Sequence, residues 1–198
     1  MSRALRIAVA EDERDTREFL QELLTRMGHQ VATATTGREL VELCRAAEPD
    51  VVLTDIRMPD MDGLAAAEEI NRERAVPVIL ISAYHDAATR ERALTDHVMA
   101  YLVKPIREAE LEAALPLAVM RFEHFQALRK EAADLRQALE DRKVIERAKG
   151  AVMRRLRVDE AEAFRRLRKL ASNHNRRLIE VAQQVLDGEA VFAALDGC

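Results

Sequence analysis

The chain has 198 residues, 48% of them apolar, which suffices for one large packed domain or two small ones. It has no run of 18 apolar residues, so no membrane span is expected, and its start, MSRALRIAVAEDE, lacks the apolar core and cleavage site of a secretory signal. Net charge is only −4, but Arg142 to Arg177 hold thirteen Lys/Arg against four Asp/Glu; that stretch carries +9 and leaves −13 on the remainder, a split that predicts two modules with different partners. The two distant cysteines, Cys44 and Cys198, read as reduced thiols of a cytoplasmic protein.

Taken in chain order, five short apolar runs read as strands: 6–10, 30–34, 51–54, 77–82 and 99–103. Helical patterns lie between them. Phe19, Leu20, Leu23, Leu24 and Met27 form the first, closed by Gly28, and Leu40, Val41, Leu43 and Cys44 form the second, opened by Gly37. Strands alternating with helices at this spacing predict a parallel sheet covered on both faces, in the flavodoxin-like doubly wound order 2-1-3-4-5. Ligands of such sheets bind at the carboxyl ends of the strands.

Beyond Pro105 the pattern turns helical. Phe125, Leu128, Ala132, Leu135 and Leu139 repeat at spacings of three and four, with Arg142 in the next seam position. The seam suits either a partner helix or a helix folded back on its own domain. Val144, Ile145, Ala148 and Val152 follow at helical spacing. Asp159 then caps a helix bearing Phe164, Leu167, Leu170 and Ala171, with Glu162 expected to reach back in a capping box. The last pattern is Leu178, Val181, Ala182, Val185 and Leu186, ended at Gly188.

The stretch VVLTDIRMPDMDG (51–63) places a carboxylate, Asp55, at the end of the greasiest strand. An unpaired buried charge is costly, so compensation is expected nearby. In the doubly wound order Glu11 and Asp12, after strand 1, converge with Asp55. Three carboxylates this close favour a hard divalent cation with oxygen ligands and water positions, which suits Mg²⁺. Ser82 ends strand 4, and Lys104-Pro105 follows strand 5 at the same edge. Metal and lysine would compensate Asp55 and leave its carboxylate available as a nucleophile.

These residues resemble the receiver domain of two-component response regulators over roughly the first 120 positions. The likeness rests on AEDE (10–13), DIRMPDMDG (55–63), ISA (81–83) and YLVKP (101–105). It implies Asp55 as phosphoacceptor. It implies Mg²⁺ held by Glu11, Asp12, Asp55 and the carbonyl of Arg57, Lys104 on the phosphoryl oxygens, and Ser82 and Tyr101 as the switch pair. Glu11 stands where many receivers have aspartate, a variant compatible with phosphorylation.

The basic stretch 142–178 holds no nucleophile–base set, metal-ligand cluster or phosphate loop. Positive charge on short helices points to nucleic acid. Residues 135–187 resemble the ANTAR domain, an RNA-binding antitermination module, on Ile145, AKG (148–150), Met153, EAF (162–164), LR (167–168), Ala171 and VA (181–182). The resemblance implies binding to paired stem-loops in leader transcripts. Lys149, Arg154, Arg155, Arg168, Lys169 and Arg176 are the expected RNA contacts, and Phe164 is expected in the core.

The expectation is therefore a receiver at 1–120, a helical or coiled-coil linker at 121–141 and a three-helix output domain at 142–198. It is a cytoplasmic, non-enzymatic regulator phosphorylated by a sensor histidine kinase, homodimeric when active, and without membrane contact. Two other readings of the tail stay open: a DNA-binding output and a protein-binding adaptor.

Overall fold

The computed structural model of the chain describes residues 3–83 and 97–196. The chain divides into two compact units, Met1–Ala127 and Leu128–Cys198. Among the described residues no helix is long and apolar enough to cross a membrane.

The first unit is built on five strands: β1 (Arg6–Ala10), β2 (Gln30–Ala34), β3 (Val51–Asp55), β4 (Val78–Ser82) and β5 (Val98–Val103). They pair in parallel in the order β2-β1-β3-β4-β5, the doubly wound order the alternation predicts. Helices α1 (Arg14–Arg26), α2 (Gly37–Ala47) and α3 (Gly63–Glu73) are the described crossovers. Period-two alternation sorts the strand residues onto two faces. Ile7, Val9, Leu53, Ile79 and Ile81 face α1 and the start of α4 (Glu108–Leu156), meeting Leu20, Leu23, Leu24, Leu111 and Leu115. Ala8, Ala10, Val52, Val78 and Leu80 face α2 and α3, meeting Leu40, Val41, Leu64 and Ile70. Each fully buried leucine or isoleucine contributes about 1.5–3 kcal/mol. Phe19 departs from its expected place on the apolar side of α1, since it is exposed while Leu20, Leu23 and Leu24 are buried.

Local chemistry starts and stops these helices. Thr36 caps α2, its hydroxyl accepting from Glu39 N at 3.1 Å, and Asp62 caps α3, accepting from Ala65 N at 2.7 Å. Gly28, at φ 89°, ends α1 in the left-handed region. Gly63 answers a different need, because a Cβ there would overlap the backbone oxygen of Asp55. The glycine of the DG pair lets α3 start directly against the end of β3.

The second unit is helical: the later part of α4, then α5 (Glu160–Asn173) and α6 (Leu178–Asp196). Its core is small, made of Ala148, Leu167, Ala171, Val181 and Ala182, with Val144, Ile145, Val152, Leu178, Val185 and Leu186 packed around it. Alanines at these positions let the helices approach closely. Asp159 caps α5 as expected, accepting from Glu162 N at 2.7 Å. The Glu162 carboxylate instead holds Arg165 and Arg166, at 2.9 and 2.7 Å, so it is spent on its own helix face rather than on a capping box. Gly188 does not end the last helix; α6 runs on to Asp196. Nor are the patterns around Leu111–Leu139 and Val144–Val152 separate helices. One helix spans both and contains Pro116 without ending there. Leu128, Leu135 and Leu139, the heptad leucines, are exposed along it.

Candidate functional site: an acidic pocket and a basic helical unit

The carboxyl ends of β1, β3 and β4 lie side by side, with Ala10 opposite Thr54 and Asp55 opposite Ile81. Asp55 is itself the last residue of β3 and is buried. Its Oδ1 accepts from the Arg57 N–H at 3.0 Å, and its Oδ2 is paired with the Lys104 ammonium. Lys104 Nζ also lies 2.9 and 2.8 Å from the two carboxylate oxygens of buried Glu11. The compensation demanded by a carboxylate at a strand end is therefore present, and one lysine serves two acids. Lys104 follows β5 and is joined to Pro105 by a cis peptide bond.

Burial pushes the Glu11 carboxyl up to about 7, and the neighbouring Asp55 charge adds to this while Lys104 opposes it. For Lys104, burial alone would lower the ammonium. Hydrogen bonds to Asp55 and Glu11 outweigh that and hold it above the ordinary lysine value. Asp12, exposed, completes the acidic group; oxygens of Glu11, Asp12 and Asp55 all lie within 4.8 Å of one another. Three carboxylate oxygens are hard donors, and the exposure of Asp12 leaves room for water, so the set fits a small divalent cation. Arg17, which the sequence reading did not single out, fastens this loop. Its Nη1 donates to the carbonyls of Glu11 (2.7 Å) and Asp12 (3.1 Å). No motif flags Arg17, because it acts on backbone atoms five and six residues away.

Ser82 ends β4, buried, with its hydroxyl donating to the Ala83 carbonyl at 3.0 Å. Tyr101 is half-buried on β5, packed against the α2–α3 side of the sheet. Ser82 thus lies on β4, the strand paired with that of Asp55, and Tyr101 on β5, one strand further out. The backbone of Arg57 sits beside Asp55, and its side chain is exposed.

In the second unit the six expected RNA contacts separate. Arg154, Arg155, Arg168, Lys169 and Arg176 are exposed. Lys149 is not: it is buried, with its ammonium 2.9 Å from Glu146 and 2.5 Å from Glu160 and lying over the Phe164 ring. A lysine so engaged is committed to the helix packing, a correction to its expected role on the RNA surface. Phe164 is corrected too. It stands 36% exposed at the surface of α5, with the Arg168 guanidinium 5.8 Å from its ring centre. Arg154 pairs with Glu189 at 2.8 Å.

A doubly wound sheet with a lysine-bridged acidic pocket at its strand ends, followed by a basic three-helix unit, defines a two-component response regulator with a separate output domain. Family models agree: the response regulator receiver domain matches residues 7–116 and the ANTAR domain matches residues 133–186. The chain belongs to the response regulators that join a receiver to an ANTAR domain, which are regulatory proteins rather than enzymes. Among its relatives is the transcriptional regulatory protein PdtaR of Mycobacterium tuberculosis, 39% identical over 183 residues, which cover 92% of this chain and 89% of PdtaR. The regulatory protein AtoC of Escherichia coli K12 is 38% identical over 68% of this chain and 28% of its own length. A receiver domain protein of Clostridium thermocellum superposes with a TM-score of 0.55 at 27% identity, over 60% of this chain and 96% of that one.

Proposed function

We propose that this chain is a phosphorylation-controlled regulator that binds paired stem-loops in leader transcripts and acts in the cytoplasm as a transcription antiterminator. Residues 1–120 form the receiver, 121–141 the linking helix and 142–198 the output. The observation that carries the input half is the Lys104 ammonium bridging Asp55 and Glu11 at the strand ends.

Asp55 is the phosphoacceptor. Its carboxylate attacks the phosphorus of a phosphohistidine on a sensor kinase; an O–P bond forms, the P–N bond breaks, and the departing imidazole takes up a proton. Glu11, Asp12, Asp55 and the Arg57 carbonyl would hold Mg²⁺, which when bound neutralises charge on the phosphoryl oxygens. Lys104 moves from its two carboxylates to those same oxygens. Ser82 turns from the Ala83 carbonyl to hydrogen-bond the phosphoryl group, and Tyr101 moves inward on the neighbouring strand. A switch of this kind works only through a higher affinity of the phosphoryl group for one state.

The output reading rests on the +9 charge of residues 142–177 and on the exposure of Arg154, Arg155, Arg168, Lys169 and Arg176. Lys149 takes a positioning role. The exposed Leu128, Leu135 and Leu139 support a homodimer in the active state.

A gel-shift titration with a two-hairpin leader RNA, with and without Mg²⁺ and a small phosphodonor, tests the whole reading, with Asp55→Ala alongside. Binding should tighten with phosphodonor in the wild type and not in Asp55→Ala. Equal binding in all lanes discards the switch and keeps the output. Stronger binding to duplex DNA at the same salt overturns the RNA assignment.

A further inference from the structure

The second unit contains a cavity of about 480 Å³ between the last turn of α4 and the middle of α6. Its walls are largely apolar. Val152 and Val185 come from the edge of the small core, and Leu156, an apolar side chain 49% exposed, borders the opening. The polar groups are few and distinct. Arg154 and Arg155 stand on the α4 side, and Gln184 and Glu189 on the α6 side. Arg154 Nη2 and Glu189 Oε1, 2.8 Å apart, link the two helices beside the cavity.

Gly188 is the informative lining residue. It lies inside α6, and it is not among the residues with left-handed backbone. A Cβ built there would meet nothing within 4 Å. Neither conformation nor crowding demands glycine, yet glycine in a helix interior is disfavoured against alanine. A position that gives up helix stability without a packing reason is where function is to be sought. What glycine provides here is an open wall to the cavity.

We propose that this cavity receives an unpaired nucleobase of the RNA; the inference rests on the RNA-binding reading above. A base is flat and apolar on both faces, which suits Val152, Val185 and Leu156, and polar at its edge. The Gln184 amide, with two N–H donors and one carbonyl acceptor, is the group placed to meet that edge. Arg154 and Arg155 would take the flanking phosphates, Arg154 exchanging the Glu189 carboxylate for a phosphate oxygen. The size suits a ligand pocket, and the net +9 of residues 142–177 supplies the charge complementarity for a polyanion. Stem-loop recognition relies on such splayed loop bases, because the deep groove of an RNA helix hides its own.

The test uses the full-length protein and two synthetic probes, a pair of RNA hairpins with randomised loop bases and the same hairpins with abasic loop sugars. Fluorescence anisotropy reads the affinity for each, and a thermal melt checks the fold. Wild type should favour the base-bearing loops by about tenfold, the change expected for one well-held base, and Gly188→Ala, which narrows the open wall by one methyl, by less. Gly188→Leu fills the cavity and should bind both probes alike, at the abasic level, with a melt no lower than that of wild type. Gln184→Ala, an exposed position outside the core, should lose several-fold on the base-bearing probe only, which keeps the test available if Gly188→Leu does not fold. Loop preference retained in both variants overturns the proposal. Equal binding of the two probes by wild type overturns it as well and leaves the RNA reading standing. Failure of wild type to bind either probe removes the RNA reading, and the base pocket with it.

Discussion

Lys149 Nζ lies 2.5 Å from Glu160 Oε1, so a single ammonium ties α4 to the first turn of α5. The pair is lopsided: the lysine side chain is 10% exposed, whereas Glu160 is 66% and its second partner, Glu146, is 53% exposed. Removing the lysine strands two carboxylates that water already reaches. Removing both carboxylates strands a buried ammonium. The Glu146→Gln/Glu160→Gln double variant should therefore melt at a lower temperature than Lys149→Met. The reverse order would show that the lysine is not the buried partner it is taken to be.

If the acidic pocket holds a divalent cation, the receiver's stability should depend on it. Mg²⁺ should raise the melting temperature of wild type, by an amount equivalent to about 2.7 kcal/mol when its concentration is a hundred times the dissociation constant. Asp12→Ala should blunt the rise. Lys104→Met removes the ammonium shared by Asp55 and Glu11. It should melt lower than wild type without metal and gain more on adding Mg²⁺. Calorimetry with and without a chelator checks this; a gain in Lys104→Met no larger than in wild type rejects the shared-compensation account.

Gly63 and Gly28 are constrained for different reasons, and alanine should report both. At Gly63 the new methyl overlaps the Asp55 backbone oxygen and the chain must move, at about 1–3 kcal/mol. At Gly28 the space is open, but φ is 89°, which costs an L-residue about 1–2 kcal/mol. Gly150→Ala, where the nearest atom is the Arg154 guanidinium at 3.5 Å, should be neutral or stabilising by up to about 1 kcal/mol. Urea titrations of the three variants give the order. Gly63→Ala should also slow phosphorylation by displacing Asp55, and Gly28→Ala should not.

His29 gives the first unit an acid-side sensitivity. Its Nδ1 accepts from the Leu5 N–H at 3.2 Å, which requires the neutral ring at that atom, and burial lowers its pKa from 6.5. The unfolded state therefore binds the proton first. The stabilisation is fully present above about pH 6.5 and is lost as pH falls through the lowered folded value. His29→Gln keeps an acceptor and removes the titration. Its urea midpoint should fall less than that of wild type between neutral pH and pH 5. Parallel curves for the two proteins would exclude His29 as the source.

Much of the first unit was legible because one-dimensional patterns have direct spatial consequences. Alternation in RIAVA, VVLT and VILIS sets which residues face which helices, and the strand–helix rhythm leaves few topologies for a parallel sheet. The convergence of Glu11, Asp12, Asp55 and Lys104 follows from strand order, since all four stand at strand ends. Arg17 was not legible, because its contacts go to backbone carbonyls and leave no mark in residue type. Gly188 was misread as a stop, because a helix-ending glycine and a helix-interior one look alike until neighbouring turns are seen.

The sequence alone determined the strand pattern, the acidic and basic division of the chain and the residue types of the pocket, all of which depend on local periodicity and composition. Tertiary structure decided what distant side chains do to one another. It turned Lys149, expected at the RNA surface, inward between two glutamates, and left Phe164, expected in the core, at the surface beside Arg168. The physical reason is that charge and burial are properties of an environment. A lysine is a surface cation or a buried tie according to which carboxylates the fold brings within reach, and that distance is not written in the spacing.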